Sequence, residues 1–478
     1  MIQADVCVVG GGPSGSAFAL QMARLGYRVC VVERYAFPRR HVGESLTPGV
    51  WPLLEALGVR EEVEAAGFLP SLEARVRWAE ETGLQVRAPM GQAGLLVDRG
   101  RFDRLLLEAA ERVGAQVMQP ATAGRPVRVD GGWDVSLRRG AETLVVRARF
   151  VADASGRAFV LGGEKRPSAV RTLALFGYWR GEGFGTETRV EAGPDAWLWG
   201  APLPDGTFNA MAFVDPEWVR ARGVQKAGLE GFYRELLGSS ELLSGLAQAR
   251  LEGAVIACDA TCYADPEPIG DDFIKLGEAG FAIDPLSSAG VQKALQTALC
   301  GSTVVHTLLS RPGNAEEARE FYRENQRASV EQHGAWAAGY YHENMRYAER
   351  PFWARRSRPP AATPPPVEPA PPPDGPLLEL RVRLAPEAAL VSTPCLVGEW
   401  VERRRALTHP GLKRPVAYLG QVELVPLLEA VGDGAALGQL IQAWTRRIPL
   451  ETGMNIAQWL VRNGVLVFET APRVSIAV

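Results

Sequence analysis

The stretch Asp5–Gly15, which reads DVCVVGGGPSG, decides the fold of the N-terminal part of this chain. Its first five residues form a short apolar run rich in β-branched side chains, which is typical of a buried parallel strand. The glycine-rich half predicts a turn, and the apolar pattern of Ala17–Leu25 predicts a helix that stops at Gly26. Val29–Val32 then predicts a second buried strand. This order of strand, turn, helix and strand opens a Rossmann-like α/β domain.

The glycine spacing in the turn is that of a dinucleotide-binding fingerprint. Gly10, Gly12 and Gly15 form GxGxxG between a predicted strand and a predicted helix, and Glu33 follows the next strand. The first glycine permits the tight turn, the second lets the backbone approach a pyrophosphate, and the third lets the helix pack against the strand. The helix N-terminus then faces the phosphates, and Glu33 accepts hydrogen bonds from a ribose.

Length and composition exclude several classes of protein. The chain has 478 residues, of which 46% are hydrophobic and 22% charged, so it is neither disordered nor fibrous and has room for two to four domains. Its net charge of −3 argues against bulk binding of nucleic acid. Six cysteines without a CxxC pattern predict buried thiols and no metal site. Without a basic leader or a long apolar run, we expect a cytoplasmic protein that does not bind membranes.

A proline-rich stretch divides the chain. Residues 359–376 read PPAATPPPVEPAPPPDGP, and such a run favours an extended, semi-rigid spacer because each proline lacks an N–H donor. We therefore expect a body over 1–355, a linker over 356–376 and a small C-terminal domain over 377–478. A long surface loop within one domain is the alternative interpretation.

The C-terminal segment has its own pattern of elements. Leu378–Leu384 alternates like a strand, and helices are predicted at Val422–Ala430, at Ala435–Arg446 with Asp433 as N-cap, and at Asn455–Arg462. A turn and the strand Val465–Phe468 follow. The order of helix, helix and strand predicts a winged-helix-like module, and its third helix carries too few basic residues for reading DNA.

Further motifs along the body carry a resemblance to a known family. They are the segment 38–45 (PRRHVGES), the segment 97–103 (VDRGRFD), the segment 151–156 (VADASG) and the segment 276–290 (LGEAGFAIDPLSSAG). In this order they resemble the flavoprotein monooxygenases of the p-hydroxybenzoate hydroxylase type, and within them the branch that contains flavin-dependent halogenases. The resemblance spans about residues 1–345.

This resemblance implies FAD as the cofactor and a set of contacts to it. FAD-binding segments are expected at about 1–70, 95–165 and 250–345, and an inserted mixed β-sheet for the substrate at about 71–94 and 166–249. The usual Gly-Asp of the last motif is Gly277-Glu278 here, one methylene longer. The implied cofactor-binding residues are Gly10, Gly12, Pro13, Ser14, Gly15, Glu33, Arg34, Gly43, Glu44, Ser45, Arg99, Asp153, Glu278, Ser288, Ala289 and Gly290.

The residues from Ser287 to Gly290 precede a helical run, so their N–H groups can face an anionic reduced flavin. The chain has one dinucleotide fingerprint, so reducing equivalents come from transiently bound NAD(P)H or from a separate flavin reductase. His41 is a candidate to hydrogen-bond the flavin or deprotonate a substrate, with a structural histidine as the alternative. Lys293 is a candidate to neutralise the reduced ring, with a solvated helix residue as the alternative.

The residues that halogenases require are only partly present. Trp197–Pro202 matches WxWxxP, although Ala201 stands where the family has Ile, and an aromatic core and scaffold is the favoured explanation of the motif. Halogenases have a lysine a little after the Gly-Glu-Ser segment, which is Gly43–Ser45 here. This lysine is missing: its expected position lies near Ser71, and the first lysine of the chain is Lys165. An arginine does not replace it readily, because a guanidinium stays protonated. Ser287 stands where halogenases usually have an aromatic residue.

The resemblance therefore favours hydroxylation over halogenation. Family members of this kind form a flavin C4a-hydroperoxide with O₂ and transfer its distal oxygen to an electron-rich aromatic ring. The small domain is similar to peptide-chaperone modules, and the combined layout resembles the flavin monooxygenases of tryptophylquinone biogenesis. Such a likeness implies a tryptophan in the crosslinked subunit of quinohaemoprotein amine dehydrogenase as substrate. A halogenase or hydroxylase of a small or carrier-bound aromatic, a non-catalytic FAD scaffold that binds a peptide, and an isoprenoid reductase stay open.

Overall fold

A computed structural model describes residues 1–79, 83–359 and 376–469. The chain forms two compact units, residues 1–361 and 362–478. Most of the expected linker, residues 360–375, lies outside the described residues. At the N-terminal end of the expected linker, Arg356 still belongs to a short helix of the first unit.

The first unit contains strands of two to twelve residues. In chain order they are β1 (Ile2–Val9), β2 (Val29–Val32), β3 (Ser45–Leu46), β4 (Leu69–Ser71), β5 (Ala74–Arg77), β6 (Gln85–Arg87), β7 (Gly94–Leu96), β8 (Gln116–Met118), β9 (Thr122–Ala123), β10 (Val127–Val129), β11 (Gly132–Arg139), β12 (Glu142–Asp153), β13 (Arg166–Pro167), β14 (Leu173–Arg180), β15 (Thr188–Ala192), β16 (Ala196–Pro202), β17 (Phe208–Val214), β18 (Arg250–Asp259), β19 (Tyr263–Ala264), β20 (Phe273–Lys275) and β21 (Phe281–Ala282).

Its helices include two long ones near the end of the unit. In chain order they are α1 (Pro13–Arg24), α2 (Trp51–Ala56), α3 (Arg60–Ala65), α4 (Arg99–Arg112), α5 (Pro216–Ala221), α6 (Leu229–Gly238), α7 (Gly290–Ser310), α8 (Ala315–Glu343) and α9 (Pro351–Arg356). The predicted helix at 17–25 begins earlier, because Pro13 suits the first helical turn. The Asp98 side chain accepts a hydrogen bond from the Arg101 N–H, so Asp98 caps the N-terminus of α4.

The first sheet is the predicted Rossmann-like core. Its path runs β10-β11-β12-β1-β2-β8, and β20 also pairs with β12. The pairs that β1 makes with β2 and β12 are parallel, and the register sets Val9 opposite both Val32 and Asp153. Because the carboxyl ends of parallel strands meet at one edge, the residues after these three strands lie together. These are the glycine turn, Glu33 and the segment 154–156.

The second sheet is the inserted, mixed one. Its order is β18-β14-β17-β16-β15-β5-β6, with β15 and β5 parallel and the other pairs antiparallel. β18 reaches Asp259, so the sheet continues about ten residues past the boundary expected at 249. Every residue of β16, which carries the WxWxxP motif, is buried.

Aromatic side chains fill one face of this sheet. Trp197 and Phe213 stack with ring centroids 3.8 Å apart, and Trp78 packs edge-on against Trp197 and Trp353. The indole N–H of Trp353 donates to the carbonyl of Gly193 at 2.9 Å, and that of Trp197 to the Tyr341 hydroxyl at 3.1 Å. These bonds satisfy the polar ends of rings that are otherwise surrounded by apolar atoms.

The second unit contains the predicted order of helix, helix and strand. Its elements are β22 (Arg381–Leu384), β23 (Ala389–Val397), β24 (Trp400–Thr408), β25 (Tyr418–Leu419), β26 (Val422–Glu423), α10 (Val425–Glu429), β27 (Ala435–Ala436), α11 (Leu437–Trp444), α12 (Leu450–Arg462) and β28 (Leu466–Phe468). The N-cap prediction is wrong: Ala436 precedes α11, because residues 435–436 pair with β22. The antiparallel hairpin β23–β24 was not predicted.

We expect Trp353→Ala to destabilise the first unit. The substitution empties a fully buried site and leaves the Gly193 carbonyl without its donor, so it should lower the free energy of unfolding by about 3–5 kcal/mol. Urea unfolding followed by near-UV circular dichroism measures this loss. Trp336→Ala, at a ring 52% exposed, is the matched control and should cost about 0.5 kcal/mol or less. Equal losses in the two variants would contradict the assigned packing.

Candidate flavin site

The glycine turn brings three backbone segments closer than side chains would allow. Gly10 has φ +107°, and a Cβ atom built on it would lie 2.4 Å from the Ala154 carbonyl oxygen. A Cβ on Gly15 would lie 1.9 Å from the Gly10 carbonyl oxygen. Neither position can carry a side chain without moving α1 away from β1 and β12, so both glycines are structural requirements of the turn.

Gly12 differs from these two glycines because it faces open space. A Cβ atom on Gly12 would meet no described protein atom within 4 Å. Gly12 is the N-cap of α1, and Pro13 and Ser14 form the first turn of that helix. The free N–H groups and the positive end of the helix dipole therefore border a space that an anionic group can enter.

Glu33 lies beside this turn, at the end of β2. The side chain is buried, and its carboxylate accepts hydrogen bonds from the Gly11 N–H at 2.8 Å and from the Tyr35 N–H at 2.9 Å. A carboxylate has further lone pairs with which it can accept hydroxyl donors. Arg34 is exposed and stacks over the Tyr35 ring at 4.7 Å, so its guanidinium does not join the Glu33 cluster.

Arg99 fastens the start of the Gly-Glu-Ser segment. Its guanidinium makes a bidentate pair with Asp103 at 3.0 and 3.2 Å and donates to the Val42 carbonyl at 2.8 Å. Arg39 joins the same carboxylate at 3.3 Å, and its Nε and Nη1 atoms are buried without a partner among the described residues. Buried, unsatisfied guanidinium donors fit a ligand that carries phosphates or hydroxyl groups.

Glu44 connects this segment to the inserted sheet. Its carboxylate accepts hydrogen bonds from the Tyr178 hydroxyl at 2.9 Å, the Asn209 amide at 3.0 Å and the Gly43 N–H at 2.8 Å. Burial raises the pKa of the Glu44 carboxyl above its usual value, and the bond from Tyr178 opposes that rise. Ser45 follows in β3, where it pairs with Leu96 of β7.

Asp153 and Glu278 occupy the same edge with different exposure. Asp153 is fully buried and accepts hydrogen bonds from the Ser155 N–H and hydroxyl and from the Leu161 N–H, so it shapes the loop after β12. The Glu278 side chain is 41% exposed and lies 3.5 Å from Arg157. Its carboxylate can therefore reach a ligand, whereas the Asp153 carboxylate cannot without breaking the loop.

The segment after Pro285 forms a tight turn into α7. Asp284 accepts hydrogen bonds from the Leu286 N–H at 3.0 Å and from the Tyr341 hydroxyl at 3.2 Å, and burial raises the pKa of its carboxyl. Ser288 has φ +49°, a left-handed conformation, and its N–H donates to the Pro285 carbonyl. The Ala289 N–H reaches the Ser287 hydroxyl at 3.3 Å, so the turn itself engages two of the N–H groups expected to face a flavin.

The two candidate catalytic residues occupy unlike environments. His41 is exposed, and its Nδ1 atom lies 2.8 Å from the carbonyl oxygen of the adjacent Val42. Lys293 is buried, with its ammonium 2.5 Å from the Phe281 carbonyl oxygen, so the interpretation as a solvated helix residue is wrong. His41 therefore shares the Val42 carbonyl with Arg99, whereas no recorded hydrogen bond in the described parts of the chain joins Lys293 to the Glu33 or Arg99 cluster.

The residues present fit FAD. The open space before Gly12, the buried acceptors of Glu33 and the unsatisfied donors of Arg39 follow one sheet edge, as a dinucleotide with an extended tail requires. Sequence reasoning found the glycines and Glu33. It missed Arg39 and Asp103 as parts of the cradle, because only the fold brings them beside Arg99.

Within residues 1–79, 83–359 and 376–469, no cluster of three or more metal-ligating side chains occurs, and no helix is long and apolar enough to cross a membrane.

Gly12→Val should abolish FAD retention while leaving the protein folded. The branched side chain meets no described protein atom but fills the space that a pyrophosphate would use. Flavin absorbance of the purified protein and its far-UV circular dichroism report the two properties separately. Gly231→Val, at a glycine of α6 that also faces open space, is the control that should retain FAD. A yellow, FAD-loaded Gly12→Val protein would contradict the site.

Glu44→Gln should change the pH dependence of stability. A raised carboxyl pKa means that the folded state binds more protons than the unfolded state, so wild-type stability falls as pH rises between the unfolded and folded pKa values. The variant lacks this titration, so its Tm should gain on the wild-type Tm as pH increases. Thermal melts of both holoproteins from acid to neutral pH measure the difference, with Glu61→Gln on α3 as a control for an exposed carboxylate. A constant difference across that range refutes the assigned burial effect.

Comparisons with known proteins identify the family. The profile of an FAD binding domain matches residues 3–159, and that of tryptophan halogenase matches residues 82–365. Tryptophan 2-halogenase of Chondromyces crocatus is 31% identical over 366 residues, which cover 73% of this chain and 69% of the relative. The 1H-pyrrole-2-carbonyl-[peptidyl-carrier protein] chlorinase of Pseudomonas fluorescens is 29% identical over 346 residues, covering 62% of this chain and 74% of the relative.

Solved structures give matches over nearly the whole chain. The peptidyl tryptophan dihydroxylase QhpG, essential for tryptophylquinone cofactor biogenesis, superposes with a TM-score of 0.74 at 27% identity, covering 97% of this chain and 99% of that one. The flavin-dependent halogenase CmlS superposes with a TM-score of 0.77 at 21% identity, covering 98% and 97%, and shows the fold alone. The Rossmann-like core, the flavin cradle and these matches agree: the chain belongs to the tryptophan halogenase family of FAD-dependent halogenases and monooxygenases, and it is an FAD-dependent oxidoreductase.

Proposed function

We propose that this enzyme hydroxylates the indole ring of a protein-bound tryptophan during biogenesis of a tryptophylquinone cofactor. The single observation that carries the proposal is the missing lysine: no lysine precedes Lys165, and Ser71 stands near the position where a halogenase has one. The 27% identity to a peptidyl tryptophan dihydroxylase along 97% of the chain supports the same direction. FAD, O₂ and reducing equivalents from NAD(P)H or a flavin reductase are the co-reactants.

The chain's own residues would bind and orient the cofactor and exclude water from the site. Gly12, Glu33 and Arg39 would hold the cofactor, which when bound and reduced supplies activated oxygen for an electron-rich ring. Arg99 holds the start of the Gly-Glu-Ser segment through the Val42 carbonyl, and the Glu44 side chain binds the segment to Tyr178 of the inserted sheet. The Glu44 carboxylate accepts hydrogen bonds from Tyr178, Asn209 and Gly43, so it acts there as the acceptor that orients the segment.

The aromatic face of the inserted sheet would serve as the dry wall of the site. Tyr341 connects this aromatic face to the turn that begins at Asp284. The Tyr341 hydroxyl accepts a hydrogen bond from the Trp197 indole and donates one to the Asp284 carboxylate. Burial raises the pKa of the Tyr341 hydroxyl well above its usual value, so it stays a hydrogen-bond donor at every working pH. This bond fixes the turn before α7 against rigid rings, which excludes water from one side of the turn.

Halogenation is the second candidate, because the 31% identical relative is a tryptophan halogenase. The lysines that the structure describes in the first unit give it little support. There are four of them: the ammonium of Lys165 donates to the Arg157 carbonyl, Lys275 pairs with Asp265, and Lys293 donates to the Phe281 carbonyl. The fourth, Lys226, is exposed in a short turn before α6. No lysine occurs among the first 164 residues, so the sequence position near Ser71 lacks the amine through which a halogenase would relay oxidised halide.

The C-terminal unit and the partners belong to the same proposal. We infer that residues 377–478 recognise the protein that carries the tryptophan, with residues 356–376 as a tether that lets a macromolecular substrate approach. A hydroxylase of free aromatic metabolites has no comparable need for a tethered module of about a hundred residues. The electron donor binds transiently, because the chain has a single dinucleotide fingerprint.

Mass spectrometry of the substrate tests the proposal. The reduced holoprotein, O₂ and the thioether-crosslinked subunit of quinohaemoprotein amine dehydrogenase should give a product with one or two added oxygen atoms on tryptophan. Parallel reactions contain chloride or bromide, and free tryptophan replaces the subunit in another. A halogenated product that requires the halide would assign the enzyme as a halogenase. Turnover of free tryptophan without any mass gain on the subunit would reject the protein substrate.

A further inference from the structure

A cavity of about 600 Å³ runs between α7 and α8, and we call it the α7–α8 groove. Its lining residues lie on the facing sides of both helices: Gln292, Lys293 and Gln296 on α7, and Gln326, Ser329 and His333 on α8. On α8 the lining extends from Tyr322 to Tyr340, which at 1.5 Å per residue is about 27 Å. An extended peptide of about eight residues spans that length.

The polar groups of the groove match a peptide main chain. Its walls carry five side-chain amides, of which Gln292, Asn325 and Gln326 each use one end in a hydrogen bond within the protein. The other amide ends can pair with donors and acceptors of a ligand. No Asp or Glu occurs among the described residues that line it. Trp336 and Tyr340 lie exposed along the wall and provide apolar contact area. Side-chain amides can pair with the main-chain N–H and C=O groups of a peptide, whatever side chains that peptide carries.

Two buried polar atoms in the groove lack a partner among the described residues. Gln326 is 7% exposed, and its Nε2 donates to the carbonyls of Asp265 and Gly280, which leaves its Oε1 atom with no donor in the described structure. The Nδ1 atom of His333 is likewise buried and unpartnered among described residues. A buried polar atom without a partner is costly, so the Gln326 Oε1 atom fits an N–H group of a ligand. The Nδ1 atom of His333 fits an N–H or a C=O group, according to the tautomer of the ring.

Lys293 adds an uncompensated cation. It is 2% exposed, and the described residues supply no carboxylate within ion-pair distance of its ammonium. Burial lowers its pKa to about 8, so it is mostly charged at neutral pH. A ligand carboxylate would relieve the desolvation of this charge, whereas a second cation would increase it.

We propose that the α7–α8 groove binds an acidic, extended segment of the protein substrate next to its target tryptophan. Gln326 Oε1 accepts a main-chain N–H group of this segment, His333 Nδ1 hydrogen-bonds to its main chain, and Lys293 pairs with an Asp or Glu of it. The lining of the groove includes Thr47, Ser287 and Ala289, so a peptide bound in it can contact the turn that precedes α7. This inference rests on the proposed function, because it takes the substrate to be a peptide chain.

Fluorescence anisotropy of labelled peptides on the oxidised holoprotein tests the groove without turnover. The probes are a fluorescein-labelled peptide of about fifteen residues with one tryptophan among Asp, Glu, Gly and Ser, and its counterpart with Lys in place of the acids. Ser329→Trp fills the groove from α8, and Ala328→Trp adds the same ring on the exposed side of that helix. FAD content and circular dichroism confirm that each variant is folded.

We expect the acidic peptide to bind wild type and Ala328→Trp equally and Ser329→Trp at least tenfold more weakly. Lys293→Gln should reduce the preference for the acidic over the basic peptide about tenfold. Equal affinity of Ser329→Trp, failure of wild type to bind the acidic peptide, or equal binding of the two peptides to wild type overturns the inference. A shift of Ser329→Trp to a smaller mass in size-exclusion chromatography assigns the groove to a second copy and also overturns it.

Oxygen transfer is measured separately, so the two proposals fail independently. If Ser329→Trp binds peptide normally while the wild-type enzyme oxygenates the substrate subunit, the groove assignment is wrong and the function stands. If the groove binds the acidic peptide as expected and no oxygen is added to tryptophan, the groove stands and the proposed function is wrong.

Discussion

The close approach of Gly15 to the carbonyl of Gly10 is the constraint on which the rest of the molecule depends. A single methyl group on Gly15 would lie 1.9 Å from that oxygen, so α1 can pack where it does only because both residues are glycines. The approach places the N-terminus of α1 at the common edge of β1, β2 and β12. Since helix N-termini attract anions, the same contact that packs the core also creates the place for a pyrophosphate.

Buried charges then connect this cradle to the inserted sheet. Arg99 is held by Asp103 and in turn holds the carbonyl of Val42, while Glu44 takes hydrogen bonds from Tyr178 and Asn209 on the sheet. Burying ionised groups is costly, and such groups persist where their partners satisfy them. The cofactor cradle and the substrate sheet are therefore joined through polar bonds whose geometry tolerates little displacement.

The preference of the chain for arginine over lysine has consequences at two places. The sequence near Ser71 contains no lysine, so it lacks the amine that a halogenase uses. An arginine would not replace that amine, because a guanidinium stays protonated. By contrast, one of the few lysines, Lys293, is buried in a groove, and no carboxylate of the described residues lies within ion-pair distance of its ammonium. A rare residue type in so costly a position is a functional candidate with a physical reason, which the strongly shifted pKa supports.

The sequence by itself determined the Rossmann-like core, the turn of Gly10, Gly12 and Gly15, and the family, because these depend on local spacing and on short motifs. It did not place Arg39 beside Asp103, or Tyr178 and Asn209 on Glu44, since those partners are 64 to 165 positions apart and meet only when the sheets form. It also missed the β23–β24 hairpin, whose strands lack a simple alternation of burial. Only the tertiary structure showed that Lys293 is buried, because a lysine after a helix start reads as solvated until the facing helix α8 is in place.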